Sequence, residues 1–292
     1  MKQQGKAVAY ALLAVLCWST IGSAFKISLR YLDFLHLLLF SSFFAMIVLF
    51  LAVLVQKKIP LLAAVRGKEV ARSALMGLLN PFLYYVVLLK AYELLPAQEA
   101  GTLNYIWPLV LVLLSIPLLR QRISGWSILA ILISFSGILI ISTHGDITGL
   151  RFSNPLGVVL AVGSAVFWAL FWILNIRDPR EEVTKLFLNF VFGFAYTLIL
   201  VLVVSDFHLP GWEGWAGSVY LGLFEMGITF ILWLKALKLS STTAKVSNLI
   251  YLSPFISLMF IHFVVGEMIL LSTIVGLCFI VGGIILQQYL KA

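Results

Sequence analysis

Charge is what this 292-residue chain has least of. Asp, Glu, Lys and Arg make up 11% of it, where soluble globular domains carry about 25%. Only 12 residues are acidic, and the four aspartates (Asp33, Asp146, Asp178 and Asp206) all fall at the edges of apolar runs or between them. That leaves little for acid–base chemistry near a lipid interface, where a membrane transferase would need paired carboxylates or histidines at helical spacing. Cysteine is limited to Cys17 and Cys278, both inside apolar runs, which argues against a disulfide framework and for small buried hydrophobes. The four histidines are scattered, no His/Cys group has metal-ligand spacing, and no glycine-rich phosphate loop is present. No metal or cofactor is expected. The longest polar gap, around Gln56 to Val70, is too short to fold as a domain, so function has to be built from side chains inside helices.

What is abundant is apolar sequence: 62% of residues are hydrophobic and the mean hydropathy is +1.08. A bilayer core about 30 Å thick needs roughly 20 apolar residues per helix. Ten windows of that size can be laid along the chain, at 7–29, 33–56, 71–92, 97–119, 123–143, 154–176, 184–204, 214–238, 242–265 and 268–290. The fold class expected is all-α and integral to the membrane. Lys2 and Lys6 ahead of the first run could open a signal peptide, but the run is long, carries Trp18-Ser19-Thr20 and has a later echo, so a retained helix is expected. With ten spans, 16 of the 20 basic residues fall on one side of the membrane and 4 on the other. Cytoplasmic loops carry the excess, so both termini are expected in the cytoplasm. The net charge of +8 is then an orientation signal and no sign of nucleic acid.

The first five windows echo the last five. Trp18 matches Trp168 at an offset of 150, Leu88-Leu89-Lys90-Ala91 matches Trp233-Leu234-Lys235-Ala236, and Pro108 and Pro254 fall in equivalent places. Five is odd, so residues 147–292 would enter the membrane inverted relative to 1–146. Inverted-topology repeats are a hallmark of secondary transporters, whose substrate site lies near the midplane.

The stretch from Gln98 to Pro108 is the polar centre of the first half. Gly101, Asn104, Tyr105 and Pro108 recur at i, i+3, i+4 and i+7, one helix face, with Trp107 beside them. Trp168 falls on such a face in the sixth window, as do Gly77, Asn80, Pro81 and Tyr84 in the third, with Tyr85 about a quarter turn away. Glu225 sits about eleven residues into the eighth window, near the midplane, where ionisable groups usually face a cavity and mark a solute or proton path. Its partner at an offset of 145 is Asn80. Tyr251 shares a face with Pro254 in the ninth window. Each of these also has a plain packing role open to it. Lys90, Glu93 and Glu99 lie near helix ends and read as solvated or snorkelling charges.

Ten helices in two inverted five-helix repeats, with Trp18-Ser19 in the first and Pro108 and Pro254 in the fourth and ninth, resemble the EamA-type drug/metabolite transporter superfamily. Glu267 is similar to that family's acidic residue before its closing helix, where the first half has Gln121. Glu99-Ala100-Gly101 followed by Asn104-Tyr105-Ile106-Trp107-Pro108 resembles the bacterial aromatic amino-acid exporter branch. The resemblance implies alternating access in the bacterial inner membrane, a small-molecule substrate and a cavity lined by the tyrosine and tryptophan of that motif. Trp18, Tyr84, Tyr105, Trp107 and Trp168 would present ring faces to an apolar side chain, with Tyr251 closing the chamber. Asn80, Asn104 and Glu225 would take the polar end, and Pro81, Pro108 and Pro254 would bend helices. Amino acids with aromatic or large apolar side chains are the leading cargo. A quaternary ammonium or cationic drug suits the same aromatic cage with one carboxylate, and a lipid-modifying transferase or a transport-dead scaffold are the readings from other classes.

Overall fold

A computed structural model of the chain describes residues 2–107, 109–110, 113–114, 118, 125–146, 154–239 and 248–289. Pro108 and Gln121 lie outside them. The described residues form helices and irregular connections, with no strand among them. In chain order they are α1 (Lys2–Ser28), α2 (Phe34–Val55), α3 (Ile59–Ala63), α4 (Gly67–Gly77) and α5 (Tyr84–Leu94). There follow α6 (Ala97–Asn104), α7 (Gly125–Ser142), α8 (Pro155–Ile176) and α9 (Glu182–Val204). The last are α10 (Trp212–Leu221), α11 (Ile228–Leu239), α12 (Ser253–Phe260) and α13 (Leu271–Tyr289). Among the described residues, six stretches are long and apolar enough to cross a membrane: Gln4–Ser28, Phe34–Val55, Gly67–Leu94, Pro155–Asn175, Glu182–Val204 and Trp212–Ala236. Leu132–Ser142, Leu249–Val265 and Leu271–Leu286 are shorter apolar helices. Helices dominate because lipid offers no partner to a bare N–H or C=O, and a helix satisfies its own.

Local sequence explains where several helices start. Asp33 caps α2, its Oδ1 accepting from the backbone N–H of Leu35 and of His36 at 2.9 and 3.2 Å. Asn154 caps α8 through the N–H of Gly157 at 3.0 Å, with Pro155 at the first helical position, where its missing N–H costs nothing. Glu181 caps α9 through the N–H groups of Val183 and Thr184.

Packing divides the chain into two compact units, and each takes helices from both sequence halves. One comprises Met1–Val86 and Asp178–Val265, the other Val87–Arg177 and Gly266–Ala292.

In the first unit, two helical interruptions stand 144 residues apart. A kink over Leu78–Leu83 joins α4 to α5, and a π-helical turn over Gly222–Gly227 joins α10 to α11. Asn80 lies inside the first with φ −151° and ψ 123°, followed by Pro81, which lacks the N–H the ladder needs. Glycine permits the packing at both places. A Cβ on Gly222 would sit 2.6 Å from the Cβ of Phe44 and 2.7 Å from the carbonyl of Ser41, both on α2. On α4, a Cβ at Gly77 would meet the Gly193 backbone of α9 at 2.8 Å. Sequence equivalence and structural interruption thus coincide at Asn80 and Glu225.

One end of this unit is tied by ions. Lys58 donates to Glu181 at 2.6 Å, and Asp178 holds Arg180 at 2.6 Å and Arg72 at 3.4 Å. Burial pushes the Glu181 carboxyl up, but the Lys58 ammonium and the Thr184 and Val183 donors outweigh it and bring it from 4.5 to about 2. Asp178 is likewise held below the usual carboxylate range, burial being outweighed by its bonds from Arg180.

In the second unit α13 packs along α7. A Cβ on Gly276 would lie 2.7 Å from the carbonyl of Gly137, and Ser134 donates to the carbonyl of Ile280 at 3.2 Å. The apolar run from Ala97 does not continue as one helix. α6 ends at Asn104 and Tyr105–Ile106 form a turn, three and two residues ahead of the proline at 108. A proline disfavours helix at the residue before it and removes a bond to the carbonyl four residues back.

Candidate functional site

The described candidates from sequence are shared between the units: Trp18, Asn80, Pro81, Tyr84, Glu225, Tyr251 and Pro254 in the first, Asn104, Tyr105, Trp107 and Trp168 in the second. In the first, Glu225 is 6% exposed inside the π-helical turn, and its Oε1 accepts from the hydroxyl of Tyr85 at 2.8 Å. Tyr85 is fully buried, its ring lying 4.7 Å from that of Tyr84 and 6.3 Å from that of Phe25. The other carboxyl oxygen of Glu225 has no hydrogen-bond partner among the described residues, nor has either polar atom of the Asn80 side chain. Asn189 on α9 is buried with its Oδ1 in the same condition. Buried polar atoms are nearly always paired, because each one left bare costs on the order of 1–3 kcal/mol. With Ser23, Ser41 and Ser218, six buried side chains of this unit carry such an atom, and Asn80 and Glu225 are the two that lie where a helix is interrupted.

An aromatic wall adjoins on α11, the helix that follows Glu225. Trp18 on α1 lies 5.4 Å from Trp233 and edge-on to Phe230 at 6.3 Å. Next to Trp18, the Ser19 hydroxyl donates to that of Ser253 at 3.1 Å, which brings the start of α12, with Pro254, against α1. Tyr251 is half-buried in the 3-10 turn Asn248–Leu252 just before it. Thr20 and Tyr220 share a hydroxyl–hydroxyl bond of 2.7 Å.

Tyr85 is a correction. The helical face counted from Gly77 puts Tyr84 with Asn80 and leaves Tyr85 a quarter turn off. Asn80 leaves helical φ and ψ at the kink, so a face counted through it at 3.6 residues per turn is not kept, and Tyr85 rather than Tyr84 is bonded to Glu225. Tyr84 is buried beside it.

In the second unit, Asn104 donates to the hydroxyl of Ser164 at 2.8 Å, which bridges α6 and α8. Trp107 meets Trp168 edge-on at 6.4 Å, and Trp168 meets Trp172 at 5.7 Å. Tyr105, half-buried, forms the C-cap of α6. Glu99 is a second correction. Far from solvated, it is fully buried and lies 2.5 Å from Nε2 of His144. Lys90 and Glu93 pair with each other at 2.7 Å and stay partly exposed, as anticipated. Glu267 accepts from the backbone N–H of Ala97 and Gln98 at 2.8 and 3.2 Å, so the acid before the closing helix caps α6.

A shallow cleft in the first unit is lined by Gln56, Lys58, Glu181, Glu182, Val183, Ile231, Leu234 and Lys235. None of the candidates lines it.

Comparison with known proteins sharpens this picture. The model of the EamA-like transporter family matches residues 5–143 and again 155–287. The chain belongs to that family. An EamA-like chain is a multi-pass membrane transporter rather than an enzyme. Its curated relatives carry the same description. An "uncharacterized transporter" of Clostridium kluyveri is 24% identical over 76% of this chain and 73% of its own length. Another from Archaeoglobus fulgidus is 24% identical over 90% of this chain and 92% of its own. The aromatic amino acid exporter YddG of Ancylobacter novellus is 26% identical over 54% of this chain and 55% of its own. A crystal structure with a TM-score of 0.68 covers 97% of this EamA-like chain and 98% of the other at 22% identity, which shows a shared fold.

Proposed function

We propose that this EamA-like protein is a secondary transporter working by alternating access, with ten spans in two inverted repeats, 1–146 and 147–292. It exports amino acids with aromatic or large apolar side chains across the bacterial inner membrane, both termini being cytoplasmic. The observation that carries this is the Tyr85–Glu225 pair: a carboxyl group buried at mid-helix, bonded through one oxygen only, in a π-helical turn. Intramembrane ionisable groups that are not fully paired usually serve a solute or ion path. Glu225 and Asn80 take the substrate ammonium and carboxylate end, with Asn104 as a further polar contact. Trp18, Tyr84, Tyr105, Trp107, Trp168 and Tyr251 offer ring faces to the side chain. Pro81 lies at the kink and Pro254 opens α12, each beside carbonyls a solute could use, and Pro108 has that part by its place in the sequence. The exporter named among the relatives supports this class of cargo.

A cationic drug-like solute is the second reading, favoured by the presence in one unit of a buried carboxyl, Glu225, and of the Trp18–Trp233 ring pair. Counterflow in proteoliposomes separates the two. Labelled phenylalanine should accumulate against unlabelled phenylalanine and a choline-like cation should not. Accumulation of the cation alone, abolished by Glu225→Gln, would overturn the amino-acid reading.

A further inference from the structure

A second polar cluster in the first unit has no part in that reading. Asp33, His36 and His208 each bring one potential ligand atom within 4.8 Å of the others. They come from the N-terminus of α2 and from the connection between α9 and α10, which are 172 residues apart. His36 is fully buried, between Phe40 at 6.3 Å and Phe207 at 6.2 Å, and its ring lies 4.0 Å from that of His208.

The hydrogen bonds fix how His36 is held. Asp33 uses Oδ1 to cap α2 and places Oδ2 2.6 Å from Nδ1 of His36. A carboxylate only accepts, so Nδ1 carries the hydrogen and the lone pair is on Nε2. Nε2 points at the connection after α9, where the backbone N–H of His208 approaches at 3.4 Å, a long and weak bond. A carboxylate behind one imidazole nitrogen, fixing the tautomer and raising the basicity of the other, is the usual support of a metal-ligating histidine. His36 itself is shielded, while His208 is exposed and the Asp33 side chain is 39% exposed, so an ion would reach Nε2 past the connection that carries His208.

We propose that this cluster binds a divalent transition-metal ion of the zinc class. Nε2 of His36 and the ring of His208 are the ligands, Asp33 positions His36, and water fills the remaining positions. Imidazole donors select Zn²⁺ and its neighbours over Mg²⁺ or Ca²⁺, which prefer oxygen. Ligand bonds of about 2.0–2.1 Å require the donor atoms to draw closer, and His208, in an irregular connection, is the one able to move. The bound ion would clip the α9–α10 connection to the first turn of α2. Without an ion, the same residues do no more than cap a helix and stack two rings.

The test is calorimetric titration of ZnCl₂ into the purified, tag-free protein in detergent, with the visible absorption of added Co²⁺ as a second readout. One equivalent should bind. Asp33→Asn keeps an acceptor for the helix cap and should weaken binding roughly 10–100-fold. His208→Ala, on the exposed connection, should remove the site, and His262→Ala should leave it intact. Absence of binding in the wild type, or affinity unchanged in His208→Ala, would overturn the proposal. Thermal unfolding of each variant without metal establishes that it is folded.

Discussion

Replacing Tyr85 by phenylalanine removes one oxygen and little else. The ring contacts with Tyr84 and Phe25 survive, because both are made by the ring rather than the hydroxyl. What goes is the 2.8 Å bond to Oε1 of Glu225, after which neither carboxyl oxygen has a partner among the described residues. Leaving such a group bare costs about 1–3 kcal/mol. Glu225→Gln keeps an acceptor at the same place, so alone it should cost less. In Tyr85→Phe/Glu225→Gln there is no carboxyl left to strand, and the double variant should recover part of the loss. The expected coupling is about 1–2 kcal/mol, within the span seen for residues in direct contact. Thermal unfolding of the four proteins in one detergent measures the cycle, and phenylalanine counterflow on the same preparations reports activity. Strictly additive effects on unfolding would refute the pairing, and full transport by both single variants would remove it from the solute path.

Three further outcomes follow from other parts of the fold. Glu181→Gln should flatten the acid limb of the stability curve: the folded pKa is depressed, so Glu181 stabilises fully above pH 4.5 and loses that contribution as pH falls toward about 2. Unfolding midpoints across that pH range check it, and parallel wild-type and variant curves would contradict it. Gly222→Ala should destabilise by about 1–3 kcal/mol through overpacking, since its new Cβ would lie 2.6 Å from that of Phe44 and 2.7 Å from the carbonyl of Ser41, and an unchanged midpoint on thermal unfolding would contradict it. Glu267→Ala should cost about 1–2 kcal/mol by uncapping α6, and hydrogen exchange at Ala97 and Gln98 should rise in that variant before it does elsewhere.

Much of the helical layout is visible from residue types alone, because a bilayer admits so few backbone solutions. Apolar windows of roughly 20 residues already locate Gln4–Ser28, Phe34–Val55 and Glu182–Val204. The sequence pairs Asn80 with Glu225 at an offset of 145, and each falls where its helix is interrupted. Tyr85 is not legible, because counting at 3.6 residues per turn assumes an unbroken helix, and the extended backbone of Asn80 breaks it. Glu99 escapes for another reason. Its partner His144 is 45 residues away, and no periodicity connects positions on different helices. The same holds for His208 and His36, although Asp33 and His36 already show the i, i+3 spacing of a helix start. Nor does an internal repeat foretell which helices pack together, for each compact unit mixes elements of both sequence halves.

The account stands or falls on whether solute and water reach Glu225. A variant with Cys17 and Cys278 replaced by alanine and Glu225→Cys introduced, in intact vesicles, can be challenged with a membrane-impermeant thiol reagent. Tyr84→Cys in the same background serves as a second position. Modification at 225 that slows in the presence of phenylalanine is the result expected. A thiol at 225 that never reacts, in protein shown to be folded, would mean that the carboxyl is sealed inside the helices and takes no part in transport.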